Sequence, residues 1–304
     1  VLTPVRGVFF FFFLGDKRQF WVKRDDLIDS QISGNKWRKL KFNIRSAIDQ
    51  GYSGIASFGG AFSNHIAALA AVGSRAGIKT LGFIRSHEID NANPTLAQAR
   101  ALGMRLIPLS RLDYKQRHQT EFVQTLMADF PDYYVVPEGG SNDLAEPGLI
   151  ELAKEIQSQV QVDTIACAIG SGGTISGLIA GNPDIPHIGV AVVKDQELLT
   201  RLRQTHSQRL HLDDQTPFGG YGKFNDELEA FCLDFFRQTH IPIEPIYTGK
   251  LFHALCTRPD SLGISPDTKV LAVHTGGLQG LQGLIYRRRI STARWQPIIS
   301  SLAT

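Results

Sequence analysis

Thr164-Ile165-Ala166-Cys167-Ala168-Ile169 is an apolar, β-branched run that empties into Gly170-Ser171-Gly172-Gly173-Thr174. A strand without a polar face is suited to burial on both sides, as in parallel sheets covered by helices. The glycines let the backbone turn tightly and approach a ligand closely, and a helix follows. Successive N–H groups at such a turn converge on an anion, and Ser171 and Thr174 add hydroxyl donors. The stretch lacks both the Gly-Lys-Ser/Thr ending of a nucleotide loop and the G-x-G-x-x-G spacing of a dinucleotide site. A monophosphate fits better. The plain alternative is a tight strand-to-helix turn that binds nothing.

The same alternation runs outward in both directions. Upstream, Gly54 to Phe58 reads as a strand, Gly59-Gly60-Ala61-Phe62-Ser63-Asn64 as a turn, and His65 to Ala76 as a helix that Gly77 closes. Thr80 to Ile84 is the next strand, Asn93-Pro94-Thr95 opens a helix through Leu102, and Arg105 to Leu109 is a strand again. Tyr114 to Phe130 reads as one helix and Tyr133 to Pro137 as a strand. Downstream, a helix from Leu149 reaches Gln159, and His187 to Val193 and Val270 to Val273 are further buried strands. Strands separated by helices of this length form parallel βαβ units, so the fold class is α/β.

Near the start, a strand at Phe20 to Lys23 and a loop from Asp25 deliver Ser33-Gly34-Asn35-Lys36-Trp37-Arg38-Lys39-Leu40. Turn chemistry precedes the lysine, and an apolar-periodic run through Leu40, Phe42 and Ile44 follows it. Lys36 therefore falls in the first turn of a helix ending near Gln50. An ammonium there feels the positive end of the helix dipole, which helps to lower its pKa. A lysine that loses its proton near neutrality can form an imine with an aldehyde. The competing reading is one more surface cation.

Composition narrows the classes. A chain of 304 residues, 42% apolar, buries a sizeable core, and its length favours two domains. A net charge of +3 without a long basic run argues against nucleic acid, and Arg287-Arg288-Arg289 reads as a solvated element end. Three cysteines without a C-x-x-C spacing point to a reducing compartment, with Cys167 in the core. Val8 to Leu14, with five consecutive phenylalanines, is far short of the roughly 20 residues a membrane helix needs. Gly15-Asp16-Lys17 is not a signal cleavage site, so the run reads as a buried strand. His87, His118, His206 and His211 lack ligand spacing, and no metal site is expected.

Lys23-Arg24-Asp25-Asp26-Leu27 followed by Ser33 to Leu40 resembles the start of the 1-aminocyclopropane-1-carboxylate deaminase/D-cysteine desulfhydrase family. These are pyridoxal 5'-phosphate (PLP) enzymes of the tryptophan-synthase-β fold type, and the resemblance runs from about Phe20 to Leu284. It implies a large PLP-binding domain from residues 1–40 and 147–304, a small α/β domain inserted at 41–146, and a cofactor in the cleft between them. Lys36 matches the lysine that carries the cofactor as a Schiff base. The cofactor phosphate would lie against Gly170, Ser171, Gly172, Gly173 and Thr174. In Ser63-Asn64-His65, Asn64 would bond the cofactor's ring hydroxyl, and all three would line the substrate carboxylate, Ser63 also moving protons. On the residues alone, Ser63 or Asn64 is a helix N-cap. Tyr221 in Gly219-Gly220-Tyr221-Gly222 and Tyr247 in Pro245-Ile246-Tyr247-Thr248 match two active-site tyrosines that pack near the ring, contact substrate and relay protons. Alone, each is a partly buried aromatic. His274-Thr275-Gly276-Gly277 matches the segment near the pyridine nitrogen. Glu138-Gly139-Gly140-Ser141-Asn142 reads equally as a glycine turn and as a cleft-facing segment.

The resemblance implies β-elimination from a small amino acid, giving pyruvate, ammonia and, from cysteine, sulphide. Ring-opening deamination, racemisation and a non-catalytic PLP-binding regulatory role share the scaffold. In the deaminases the residue after the tyrosine is glutamate, and leucine stands between the histidine and the paired glycines. Here those positions are Thr248 and Thr275. A neutral hydroxyl at the pyridine nitrogen makes a shallower electron sink than a carboxylate, sufficient when thiolate leaves promptly. That favours D-cysteine or a related β-substituted D-amino acid. Trp37, Gly60-Ala61-Phe62 and the short stretch from Gly181 to His187 depart from the family pattern, which bears on the side-chain pocket. The family suggests a homodimer, while the cysteines point to the cytoplasm and the charge and apolar runs to neither nucleic acid nor membrane.

Overall fold

The computed structural model describes residues 2–9, 18–29, 31–32 and 34–302. Of the strand expected at Val8 to Leu14, the first two residues end an observed strand, and the rest lie outside the described residues, as does Ser33. Ten strands occur among the described residues: β1 (Val5–Phe9), β2 (Gln19–Arg24), β3 (Gly54–Gly60), β4 (Lys79–Arg85), β5 (Arg105–Leu109), β6 (Tyr133–Val136), β7 (Thr164–Ile169), β8 (His187–Ala191), β9 (Leu210–Asp213) and β10 (Val270–His274).

The chain divides into two compact units. Val1–Asn35, Leu149–Leu278 and Thr292–Thr304 form the first, and Lys36–Gly148 with Gln279–Ser291 the second. The first holds a six-stranded sheet in the order β1-β2-β10-β7-β8-β9, parallel except for the β1–β2 pair. Ile165, Ala166 and Cys167 in β7 are fully buried, as are Leu271 and Val273 in β10. Helices supply the cover on the apolar cluster, through Leu152, Ile156, Leu178 and Leu199. Each such large side chain contributes about 1.5–3 kcal/mol by leaving water.

Strand order also fixes where a ligand sits. From β7 the chain moves outward to β8 and β9, whereas β10 returns on the other side of β7. That reversal opens a crevice at the carboxyl ends of β7 and β10, the usual ligand position in open parallel sheets. Gly170–Thr174 and Thr275–Gly277 begin there.

The second unit repeats the device. Its four-stranded parallel sheet runs β5-β4-β3-β6, so β3 moves outward to β4 and β5 while β6 returns on β3's other side. The carboxyl ends of β3 and β6 carry the Gly59–Asn64 turn and the Pro137–Asn142 segment.

Two differences from the sequence reading have physical causes. The second unit reaches beyond 41–146 because the chain returns to it at Gln279–Ser291, where the helix Gly280–Tyr286 buries Leu281 and Leu284. Gly283 permits this, since a Cβ there would meet the Phe62 ring at 2.6 Å. The single helix expected over Tyr114 to Phe130 is two, Arg111–Lys115 and Thr120–Met127. Arg117 donates from Nη1 to the Tyr114 carbonyl (3.0 Å) and from Nε to Glu138 (2.6 Å), satisfying the end of the first helix with a side chain.

Candidate active site

In the first unit, Gly172 occupies the N-cap of the helix Gly173–Gly181 at φ 81°, the left-handed region where glycine is at ease. No side chain at the cap bonds the first-turn amides. Their N–H groups and the positive helix end thus face the mouth of the crevice. Thr174 is buried and accepts from Asn35 Nδ2 at 2.7 Å, which leaves its own hydroxyl hydrogen to donate. Ser171 is exposed on the same turn. An uncapped helix start with glycines and a poised hydroxyl fits a phosphate monoester.

The residues just before Lys36 are pinned to this frame. Gly34 N–H donates to the Asp25 carbonyl (3.0 Å) and Asn35 N–H to the Thr275 carbonyl (3.3 Å). Gly34 lies at φ 73°, and a Cβ there would stand 1.8 Å from the Thr275 carbonyl oxygen, so only glycine fits. The Thr275 turn is fixed in turn by His274, whose Nε2–H donates to the Pro242 carbonyl at 2.6 Å. Its Nδ1 lone pair then accepts Gly276 N–H at 3.1 Å. The Lys23–Leu27 motif is structural: Lys23 is buried against Glu155 (2.6 Å), and Arg24 forks onto Asp26 (2.9 and 2.7 Å).

Tyr247 sits directly on the glycine turn, since a Cβ on Gly170 would meet its Cε1 at 3.0 Å. The Tyr221 ring meets the Tyr247 ring edge-on, with centroids 5.8 Å apart. The structure thus brings both tyrosines to the turn. The residue that places Tyr247 escaped the sequence reading. Glu244 is buried, and its carboxylate accepts the N–H groups of Ile246 (2.6 Å), Tyr247 (2.9 Å) and Thr248 (2.9 Å). It caps the helix Thr248–Thr257. Burial pushes its carboxyl pKa up, against the pull of those hydrogen bonds.

Glu244 also sets the two threonines apart. The Thr248 hydroxyl is fully buried, receives Glu244 N–H at 3.0 Å and faces the Glu244 carboxylate at 3.2 Å. Its hydroxyl is committed within the cap, whereas the sequence left open which of Thr248 and Thr275 would lie beside the pyridine nitrogen. Thr275 is half-buried, and its side chain makes no hydrogen bond among the described residues.

In the second unit, Lys36 is half-buried in the first turn of the helix Asn35–Asp49. Lys39, one turn on, is buried and donates to Ser141 Oγ at 2.9 Å. Glu138 accepts from Tyr114 (2.7 Å) and Arg117, and Asn142 exchanges hydrogen bonds with Asn43 (2.7 and 3.0 Å). The Glu138–Asn142 segment is therefore a structural brace.

Ser63 caps the helix Asn64–Ala76, accepting Ile66 N–H at 3.3 Å, and keeps its own hydrogen to donate. The Asn64 side chain is half-buried and makes no hydrogen bond among the described residues, so its amide is open to a ligand. His65 differs from expectation. Ser57 Oγ donates to the Val136 carbonyl (2.7 Å), so it receives the hydrogen of His65 Nε2 (2.7 Å). His65 Nδ1 is then a buried lone pair without a partner. Burial, aided by the charges of Lys36 and Lys39, lowers its pKa to about 3. In this tautomer Nδ1 offers a carboxylate no hydrogen to accept. The described residues contain no His/Cys/Asp/Glu group able to hold a metal.

Comparison with known proteins agrees with this frame. A sequence profile of the family described as pyridoxal-phosphate dependent enzymes matches residues 3–276. A Thermotoga maritima protein named putative 1-aminocyclopropane-1-carboxylate deaminase is 31% identical over 303 residues, 92% of this chain and 95% of its own. The D-cysteine desulfhydrase of Salmonella newport is 29% identical over 291 residues, 87% and 88% of the two chains. The crystal structure of an ACC deaminase homologue matches with a TM-score of 0.81 at 25% identity, covering 94% of this chain and 93% of that one. With the profile running through both sheets and the phosphate-type turn, the chain belongs to the pyridoxal-phosphate dependent enzyme family.

Proposed function

We propose that this lyase eliminates the β-substituent of D-cysteine, or of a related D-amino acid, in preference to opening a cyclopropane ring. The observation that carries the reading is the fate of the two threonines. Thr248 is locked to Glu244, and Thr275 keeps a hydroxyl free in the turn after β10. Bound PLP supplies an electron sink for the carbanion left when the α-proton departs. A neutral hydroxyl at its nitrogen suits a substrate whose thiolate leaves promptly.

The chain's own groups have distinct tasks in this reading. Lys36 holds the cofactor covalently, and its freed amine is the base at the α-carbon. Gly170 to Thr174 hold the phosphate through backbone N–H groups and the Thr174 hydroxyl. Asn64 bonds the ring hydroxyl, and Ser63 donates to the substrate carboxylate. Tyr247 and Tyr221 exclude water from the glycine turn and move protons at the departing group. The name of the Salmonella newport relative supports the substrate assignment, and that of the Thermotoga maritima relative supports the ring-opening alternative.

The assignment includes a cytoplasmic homodimer acting on a small amino acid. All three cysteines are buried thiols outside any disulfide, in keeping with a reducing compartment. No described helix is long and apolar enough to cross a membrane. Light scattering after gel filtration reads the oligomeric state.

Purified protein is assayed with D-cysteine, L-cysteine, β-chloro-D-alanine and the cyclopropane amino acid. Sulphide and pyruvate from D-cysteine are expected to outpace ring opening. Faster ring opening would replace the proposed reaction with deamination, and unchanged pyruvate with inverted optical rotation would indicate racemisation.

A further inference from the structure

Glu244 and Lys250 stand six residues apart, and each is buried with its charge turned to backbone. Glu244 serves Tyr247. Lys250 reaches across the fold to the Gly220 carbonyl, which also accepts Lys223 N–H at 3.3 Å. No other hydrogen bond of the Lys250 ammonium occurs among the described residues, and Glu244 is the charged neighbour that favours its protonated form. Burial outweighs that help and lowers the lysine to about 8.

The carbonyl it holds belongs to a segment with little stiffness of its own. Gly219, Gly220 and Gly222 all lie in the left-handed region, at φ 86°, 89° and 68°. Glycines lose more conformational freedom on ordering than other residues, so such a segment needs an external fastening. Its start is tied by Gly219 N–H to the Thr216 carbonyl at 2.9 Å. Tyr221, between Gly220 and Gly222, is 54% exposed, so burial does little to fix it. Its ring nevertheless stands edge-on to Tyr247.

We propose that Lys250 is a positioning residue: by donating to the Gly220 carbonyl it fastens the Gly219–Gly222 segment and holds Tyr221 against Tyr247. The fastening is a property of the folded chain. Its effect on turnover rests on the role given to Tyr221 above.

The test uses Lys250→Met, with Lys250→Gln as a second variant that keeps a neutral donor and stands in where the first does not fold. Amide hydrogen exchange over residues 217–223, measured without cofactor, should quicken about tenfold in Lys250→Met and less in Lys250→Gln. Unchanged exchange in a folded variant overturns the proposal. With PLP and substrate present, kcat/KM should fall about tenfold to a hundredfold, while PLP affinity changes by no more than about twofold. Most of that loss should disappear when the substitution is made on Tyr221→Phe, because Lys250 acts by placing the Tyr221 hydroxyl, which that background lacks. A loss undiminished on that background also overturns the proposal. Should the wild type turn over no amino acid, the elimination reading fails, and exchange alone decides the fastening.

Discussion

At the carboxyl end of β7 the chain turns into a helix whose N-cap, Gly172, has no side chain to offer. At the carboxyl end of β3 it turns into a helix that Ser63 caps. Both turns stand where strand order reverses, and both follow strands that are almost wholly buried. Around the β3 turn, side chains meet one another: His65 on Ser57, Lys39 on Ser141, Asn43 on Asn142. Around the β7 turn the backbone itself is left to bind. The same topological device thus yields an uncapped helix start, the proposed anion seat, in one unit. In the other it yields a braced platform with one open amide, Asn64.

The comparison breaks most visibly at Lys36. Lys36→Ala should erase the absorption band of lysine-bound cofactor and lower turnover by at least about a thousandfold. Lys39→Ala should keep the band, because that ammonium already serves Ser141. A band that survives in the first variant and vanishes in the second would exchange the two lysines' roles.

Acid should expose the braced side next. His65 stays neutral in the folded state, its pKa lowered to about 3 from 6.5, so the unfolded chain binds the extra proton between those values. Stability is lost as pH falls through that window, by at most on the order of 5 kcal/mol. Denaturant unfolding of His65→Gln should depend less on pH from 6.5 down to 4 than the wild type does. His187, lowered in the same direction to about 4, remains in both proteins and cancels in the difference. Equal slopes would contradict a folded-state His65 held neutral.

A smaller effect separates the threonines. Thr248→Ala strips a hydroxyl from the buried Glu244 cap and should cost about 1–3 kcal/mol of stability. Thr275→Ala should leave stability within about 0.5 kcal/mol and shift the cofactor's absorption instead. Ser63 and Asn64 divide likewise. Ser63→Ala should cost about 1 kcal/mol through the lost cap and impair turnover, leaving the substrate-free spectrum unchanged. Asn64→Ala should alter that spectrum without a stability change of similar size.

The parts legible in the sequence were those whose cause is local. β7 spans Thr164–Ile169 as expected, because a strand buried on both faces has no polar residue to blur its ends. Lys36 begins its helix because Gly34 and Asn35 supply the turn. The unread parts depend on partners that only the fold supplies. Nothing near Glu244 marks it as a buried cap, and Lys250 finds its acceptor 30 residues away. Resemblance offered Thr248 and Thr275 alike, and only the Glu244 hydrogen bonds separate them. The break after Lys115 falls where Arg117 meets the Tyr114 carbonyl, with no glycine or proline to mark it.

The most direct test of the contrast between the two turns is a paired titration with PLP and with pyridoxal, its phosphate-free counterpart. Wild type, Gly172→Ala and Ser63→Ala are compared by the ratio of the two dissociation constants. At φ 81°, and with Leu198 Cδ1 only 3.1 Å from a new Cβ, Gly172→Ala strains the glycine turn. The preference for PLP should fall about tenfold in that variant and stay unchanged in Ser63→Ala. A preference intact in Gly172→Ala but lost in Ser63→Ala would contradict the account and move the phosphate to the β3 turn.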